Sequence, residues 1–171
     1  MRFVIVTGIS GAGKSTALKF LEDAQYFCVD NLPILLLEKF ASMTLSMNSE
    51  EIRNVALGVD VRSGQQLGDL EEILKKMRKQ GYQYEILFLD ASDEVLIKRY
   101  KESRRNHPLA PDGRVDEGIR LERRRLEFLR NQADYIINTS RMLTRELRKE
   151  IVRIFVDNQD FRSLVVSVVS F

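Results

Sequence analysis

Gly8-Ile9-Ser10-Gly11-Ala12-Gly13-Lys14-Ser15 is the most informative segment of this 171-residue chain. It fits the pattern G-x-x-x-x-G-K-[ST] at every position. The apolar, β-branched run from Phe3 to Thr7 before it predicts a buried strand, and the residues from Lys14 to Asp23 have the apolar spacing of a helix. A strand that enters the segment and a helix that leaves it are the context in which this pattern forms a phosphate-binding loop, or P-loop.

The chemistry of a P-loop assigns a role to each part of this segment. Glycines let the backbone turn tightly and direct its N–H groups toward phosphate oxygens, and the N-terminus of the following helix adds its positive dipole end. Lys14 is expected to reach the β- and γ-phosphates, and the Ser15 hydroxyl to ligate Mg²⁺. We therefore expect residues 8–15 to bind a nucleoside triphosphate together with magnesium.

A P-loop site also needs a carboxylate near the metal, and the sequence offers two. Asp60 and Asp90 each follow an apolar run that predicts a strand, so composition does not distinguish them. In the related nucleotide kinases the third strand lies beside the first, and this order favours Asp60. Asp60 is accordingly predicted as a magnesium ligand and, with Lys14, as a catalytic residue; its alternative role is a simple cap at the end of a strand.

The rest of the chain alternates apolar runs with helical patterns. Nearly continuous apolar strands separated by helices indicate a parallel sheet that is covered on both faces. The predicted fold is therefore α/β, a P-loop NTPase of the nucleotide-kinase-like type with a five-stranded parallel sheet. Strands are predicted at residues 3–7, 26–29, 55–61, 84–89 and 135–137, and helices at 14–23, 34–45, 67–80, 93–104, 116–131 and 143–156.

Basic residues are concentrated in one segment. Residues 96–130 contain eleven Lys and Arg against six Asp and Glu. Arg99, Arg104 and Arg105 could fold over the triphosphate and stabilise charge on the γ-phosphoryl, with the following Pro- and Gly-containing loop as a lid; Arg104 and Arg105 are predicted as catalytic. A solvated basic helix is the alternative. Most of Arg123 to Arg125 should face water, and His107, the only histidine, receives no catalytic or metal role.

Composition limits the setting in which the chain works. No apolar run approaches the ~18 residues needed to cross a bilayer, so no membrane association is expected. The single cysteine, Cys28, cannot form an internal disulfide, which favours a reducing cytoplasm. Residues 1–156 are predicted to form the nucleotide-binding domain. The apolar run from Leu164 has no turn or polar cap after it, so residues 157–171 are predicted to start a truncated C-terminal domain.

Motifs spread along the whole chain are shared with one family. They are G-I-S-G-A-G-K-S (8–15), L-E-D (21–23), C-V-D-N-L-P (28–33), D-V-R-S (60–63), F-L-D-A (88–91) and S-R-R-N-H-P-L (103–109). On these motifs the chain resembles the YvcJ/RapZ family of bacterial P-loop proteins. One departure is Asn138 in I-N-T-S, where the family usually shows Asp.

The resemblance implies binding and slow hydrolysis of ATP and GTP. Residues 8–15 would bind ATP, and the residues assigned to GTP would be Asp60, Val61, Arg62 and Ser63. The best-understood members are adaptors that present a small RNA to an endoribonuclease, and they carry a second, C-terminal domain. RNA and endoribonuclease binding are therefore expected mainly outside this chain, and a homo-oligomer is left open.

A second function is weighed against the first. The run I-L-F-L-D-A-S-D-E-V-L-I-K-R resembles the matching strand and helix of nucleoside monophosphate kinases, which favours transfer of the γ-phosphoryl to an acceptor. Such kinases need cationic residues between the second and third strands to hold the acceptor's phosphate. From Asp30 to Arg53 only Lys39 and Arg53 are basic, and this scarcity favours a regulatory nucleotide-binding domain.

Overall fold

The apolar runs form the strands of one sheet in a computed structural model that describes residues 2–46, 54–60, 67–157 and 166–168. The strands are β1 Arg2–Gly8, β2 Phe27–Val29, β3 Asn54–Gly58, β4 Glu85–Asp90, β5 Tyr135–Asn138 and β6 Val166–Val168. The helices are α1 Lys14–Asp23, α2 Leu37–Ser46, α3 Leu67–Lys79, α4 Asp93–Ser103, α5 Val115–Gln132 and α6 Thr144–Val152.

All described strands are parallel, in the order β2-β3-β1-β4-β5-β6. β1 lies in the middle, and its residues from Phe3 to Gly8 are all buried. Because successive strand residues point to opposite faces, burial of every one means that helices cover both faces. The predicted P-loop fold is thus confirmed: the five predicted strands are present, and β6 adds a sixth at the edge beside β5.

Two predicted helices differ from the observed ones by more than one residue at one end. A turn of 3₁₀ helix, Ile34–Leu36, precedes α2, with Pro33 in an extended conformation (ψ 131°) as its N-cap. α6 continues into a π-helical segment, Arg153–Asp157. The predicted domain boundary at residue 157 stays a prediction, although Val166–Val168 beyond it pair with β5 in the same sheet.

The close approach of two central strands determines where the P-loop begins. Gly8, the last residue of β1, has φ +148°, and a Cβ there would collide with the backbone of Leu89 on β4. The next residue, Ile9, donates its N–H to the Leu89 carbonyl at 3.0 Å. A glycine is therefore required where β1 turns into the P-loop. None of the helices in the described ranges is long and apolar enough to cross a membrane.

Gly8→Ala should lower the free energy of unfolding by about 2–4 kcal/mol, because the methyl group adds backbone strain to a collision with β4. Urea denaturation followed by circular dichroism measures the loss. Gly68→Ala is the matched control: no atom lies within 4 Å of a Cβ at this exposed position in α3. Equal stability of the Gly8→Ala and Gly68→Ala proteins would contradict the close approach of the two strands.

Candidate nucleotide-binding site

A cavity of about 520 Å³ opens at the carboxyl edge of the sheet. Ligands of open parallel sheets bind at this edge, since the loops that follow the strands meet there. The cavity is lined by the P-loop, by Asp30 and Asn31 after β2, by Asp60 after β3, and by Arg99 and Arg105 from α4 and the loop that follows it. That loop, residues 104–114 between α4 and α5, is called the lid loop below.

The P-loop has the backbone shape that phosphate binding requires. Ala12 donates its N–H to the Ile9 carbonyl at 2.9 Å, which closes a tight turn. Gly13 adopts a left-handed conformation (φ +109°) as the N-cap of α1, so the helix begins at Lys14. No side chain caps this helix end, and its first N–H groups lie at the wall of the cavity, where an anion can accept from them.

Lys14 and two carboxylates lie together in this cavity. The Lys14 ammonium nitrogen is 3.6 Å from Asp60 Oδ2 and 3.9 Å from Asp30 Oδ1. The Lys14 side chain is only 16% exposed, while that of Asp30 is 52% exposed. The site thus brings a cation for phosphate and an oxygen ligand for a metal ion within reach of each other. Asp30 was not among the predicted site residues.

Asp90, the competing carboxylate, is used elsewhere. Its side chain is 10% exposed and lies 2.8 Å from Arg123 Nη1 and 3.4 Å from Arg130 Nε. It does not line the nucleotide cavity. Strand order alone would not have separated the two candidates, because β3 and β4 both flank β1. The position of Asp60 supports its predicted role, which stays a prediction.

The predicted arginines divide into three cases. Arg99 donates to the Gly11 carbonyl at 2.9 Å and to the Thr139 carbonyl at 2.8 Å, so it braces the P-loop while it lines the cavity. Arg105 lines the cavity as well. Arg104 ends α4 in a left-handed conformation (φ +52°), is exposed, and is not among the lining residues. Of the other basic run, Arg124 and Arg125 are exposed as expected.

The predicted GTP residues Val61, Arg62 and Ser63 lie outside the described residues, so their role stays a prediction.

The departure at Asn138 has a local structural use. Its Oδ1 accepts the Ser140 N–H at 3.0 Å and so shapes the turn that follows β5. In that turn the buried Thr139 hydroxyl donates to the Ala12 carbonyl at 2.7 Å. Sequence reasoning missed Thr139, whose only signal is a polar residue directly after an apolar strand.

Sequence reasoning also missed a buried pair behind the P-loop. Glu122 and His107 are both fully buried, with Glu122 Oε2 2.5 Å from His107 Nε2. The other Glu122 oxygen accepts the N–H of Ser10. The sequence does contain a signal, because Glu122 occupies an apolar position of α5 between Ile119 and Leu126, where a charge is unusual. Among the described residues there is no group of three or more His, Cys, Asp or Glu side chains that could hold a metal ion.

The fold and cavity place the chain in a known class, the P-loop domains with a kinase fold. It superposes on shikimate kinase from Bacteroides thetaiotaomicron with a TM-score of 0.57 and 20% identity, covering 90% of this chain and 97% of that one. Shikimate kinase from Acinetobacter baumannii, solved in complex with shikimate, gives 0.59 and 18%, covering 94% and 96%. At these identities the likeness concerns the fold alone.

Residues 1–159 match the RapZ-like N-terminal domain, and the chain belongs to this family. A nucleotide-binding protein of Lachnoclostridium phytofermentans is 60% identical over all 171 residues, and one of Agathobacter rectalis is 54% identical. The chain spans 60% and 58% of the length of these two curated relatives. This protein is therefore a RapZ-like N-terminal domain with a P-loop kinase fold.

Asp90→Asn should lower the free energy of unfolding by about 2–3 kcal/mol, because the buried carboxylate is the shared partner of Arg123 and Arg130. Denaturant unfolding monitored by circular dichroism tests this. The matched control is Asp93→Asn, which removes a contact with the same Arg123 but from a side chain that is 60% exposed. It should cost less than about 1 kcal/mol. A larger loss from Asp93→Asn than from Asp90→Asn would show that Asp90 has no such role.

Proposed function

We propose that this domain binds ATP and GTP with Mg²⁺, hydrolyses them slowly, and serves as the nucleotide-responsive part of a bacterial RNA-regulatory adaptor in the cytoplasm. The observation that carries the proposal is the meeting of the P-loop, Lys14 and Asp60 in one cavity. A P-loop, its lysine and a nearby carboxylate are the parts on which triphosphate binding depends.

Each side chain in the cavity has a definite task under this proposal. Lys14 donates to the β- and γ-phosphate oxygens, and the P-loop N–H groups hold the β-phosphate. The Ser15 hydroxyl and the Asp60 carboxylate line the same cavity and are the hard oxygen donors that suit Mg²⁺. Magnesium, when bound, supplies charge neutralisation to the phosphates. Arg105 on the opposite wall stabilises charge that develops on the γ-phosphoryl; the same role for Arg104 rests on sequence alone.

The wider role rests on family membership. Asp60, Val61, Arg62 and Ser63 are proposed to contact GTP. Since the chain spans about 60% of its relatives' length, we assign recognition of a small RNA and of an endoribonuclease mainly to the remaining part of such proteins. Nucleotide occupancy in this domain would then regulate that part, in a monomer or in a homo-oligomer.

Lys14→Ala should weaken ATP and GTP binding by roughly ten- to a hundredfold, because it removes a charge-assisted contact worth about 1.5–3 kcal/mol. Titration calorimetry with magnesium present measures the dissociation constants, and circular dichroism checks the fold. Lys19→Ala is the control, since Lys19 is exposed on the same helix α1 and does not line the cavity. Unchanged affinity in a folded Lys14→Ala protein would refute the site.

A kinase is the second candidate, and the position of Asp30 favours it. Asp30 follows β2 on the cavity wall, with its carboxylate beside the P-loop lysine. Gly58 on β3 makes room for it, since a Cβ there would come within 2.5 Å of Asp30 Oδ1. A carboxylate at this place can accept the proton of an attacking hydroxyl. The acceptor oxygen would bond to the γ-phosphorus, the bond to the β–γ bridging oxygen would break, and ADP would leave.

The chemistry of the cavity narrows the acceptor for that second candidate. A phosphorylated acceptor needs cationic side chains near β2, and the only basic residues in the segment 30–53 are Lys39 and Arg53. An uncharged hydroxylated molecule fits better. The fold neighbours include kinases of hydroxylated small molecules, among them a gluconokinase from Sinorhizobium meliloti with a TM-score of 0.52 and 14% identity.

Phosphate release and phosphoryl transfer separate the two functions. We expect free phosphate from ATP without any acceptor, and no stimulation by a panel of sugars, sugar acids and polyols, measured by coupled phosphate and ADP assays. Asp30→Asn should then leave hydrolysis within about twofold, because a hydrolase does not need this base. ADP formation that depends on one acceptor and falls roughly 10²–10⁴-fold in Asp30→Asn would establish the kinase instead.

A further inference from the structure

Glu122 on helix α5 and His107 in the lid loop form a buried pair that contacts both walls of the nucleotide cavity. On one side, Glu122 Oε1 accepts the N–H of Ser10, the third residue of the P-loop. On the other side, Glu122 Oε2 lies 2.5 Å from His107 Nε2. His107 belongs to the lid loop, where its neighbours Arg105, Asn106 and Pro108 line the cavity. One carboxylate therefore contacts two segments that line the same cavity.

His107 is held firmly in the lid loop. Its Nδ1 accepts the Leu109 N–H at 3.0 Å, and its carbonyl accepts the Ala110 N–H at 3.0 Å. Its ring packs against Tyr100, with centroids 5.4 Å apart. It also packs against the backbone of α5 at Gly118, where a Cβ would come within 2.6 Å of the ring. The ring thus occupies a socket between α4 and α5, and the lid loop cannot shift without moving it.

The hydrogen bonds determine where the proton of the pair is. Because Nδ1 accepts from Leu109, the proton of a neutral imidazole is on Nε2, the ring nitrogen that lies 2.5 Å from Glu122 Oε2. Glu122 accepts the Ser10 N–H through Oε1, and its Oε2 is in contact with His107 Nε2 without the geometry of a hydrogen bond. Burial lowers the pKa of His107, which favours the neutral imidazole, and raises the pKa of Glu122 to about 7. A second proton on the pair would set one donor against another. On Glu122 Oε1 it would face the Ser10 N–H, on His107 Nδ1 it would face the Leu109 N–H, and on Glu122 Oε2 it would face His107 Nε2–H.

We propose that Glu122 is a positioning residue that couples the P-loop to the lid loop through His107, so that nucleotide bound on the P-loop orders the wall that carries Arg105. The inference rests on the proposed nucleotide-binding function and adds a means by which occupancy reaches the lid loop. Glu122 is fully buried and does not line the cavity. It acts by holding Ser10 and His107 in one arrangement.

Glu122→Gln in the 171-residue chain is the direct test, because glutamine keeps the shape and removes one acceptor. Its oxygen can still accept the Ser10 N–H, but its NH₂ group then faces His107 Nε2–H, a donor against a donor. Hydrogen exchange without nucleotide should show the lid loop exchanging roughly tenfold faster, as for loss of one such contact. Exchange in residues 8–15 should change by less than about threefold.

Adding magnesium and a non-hydrolysable ATP analogue tests the coupling. In the wild-type protein the analogue should slow exchange in both the P-loop and the lid loop. In Glu122→Gln it should slow exchange in the P-loop alone. Where hydrolysis is measurable, Glu122→Gln should lower kcat roughly tenfold and change KM less than about threefold, because the wall with Arg105 is misplaced while the P-loop still binds.

Two substitutions of His107 separate its two contacts. In His107→Gln the side-chain NH₂ can take the place of Nε2–H beside Glu122. In His107→Asn the side-chain oxygen takes the place of Nδ1 as the acceptor for Leu109, but the shorter side chain does not reach Glu122. His107→Gln should therefore retain nucleotide-dependent protection of the lid loop, and His107→Asn should lose it. Similar behaviour of the two variants would overturn the proposal, and so would wild-type exchange of the lid loop in Glu122→Gln.

The failure of this inference is distinguishable from failure of the proposed function. If the analogue protects no part of the wild-type P-loop, nucleotide binding is refuted. The comparison of Glu122→Gln, His107→Gln and His107→Asn without nucleotide still decides whether the pair connects the two walls. Lid-loop protection by nucleotide that persists unchanged in Glu122→Gln would refute the coupling while leaving nucleotide binding intact.

Discussion

The rest of the structure depends on one constraint: the backbone polar groups of the P-loop that face the protein interior need hydrogen-bond partners. A loop that directs N–H groups toward phosphate presents other backbone polar groups to the protein interior, and each of these would cost about 1–3 kcal/mol if left unpaired. Three are paired by side chains: the Gly11 carbonyl by Arg99, the Ala12 carbonyl by Thr139, and the Ser10 N–H by Glu122. These side chains belong to α4, to the turn after β5 and to α5, so distant parts of the chain are held around the loop.

Local pattern was enough to predict the scaffold and the position of the P-loop within it. The P-loop, its flanking strand and helix, and the alternation of apolar strands with helices are all encoded in consecutive residues. Predictions that depend on which side chains contact each other in the folded protein were less accurate. Asp60 and Asp90 look alike in sequence, and only the approach of Arg123 and Arg130 from α5 shows that Asp90 is already used.

The same limit explains why some structural roles were missed. Arg99 was predicted to fold over the triphosphate, but its bonds to backbone carbonyls of two other segments were not foreseen. His107 reads as a loop residue before a proline, but it is fully buried against Glu122. Their roles depend on contacts between residues 15 to 88 positions apart, which periodicity and composition cannot reveal. The exception is Glu122, whose charge interrupts an apolar helix face and could have been noticed.

The grouping of Lys14 with Asp30 and Asp60 has a consequence for how a triphosphate enters. Two carboxylates lie within 4 Å of the lysine and repel an anion at that point, while Arg99 and Arg105 in the same cavity attract it. Under the proposed function, a divalent cation that accompanies the nucleotide offsets the repulsion by the two carboxylates. The proposed ligand is therefore a metal–nucleotide complex rather than an unaccompanied nucleotide.

The close packing of His107 against Gly118 means that residues 107, 118 and 122 constrain one another in evolution. A side chain at residue 118 needs a smaller residue at 107, and a smaller residue at 107 removes the contact of the buried Glu122 with His107. Each single substitution therefore passes through a less stable protein, while a joint replacement of all three need not. In diverged relatives these positions should be inherited as a set or replaced as a set. Such epistasis would make residue 118, which touches no ligand, as slow to change as the P-loop itself.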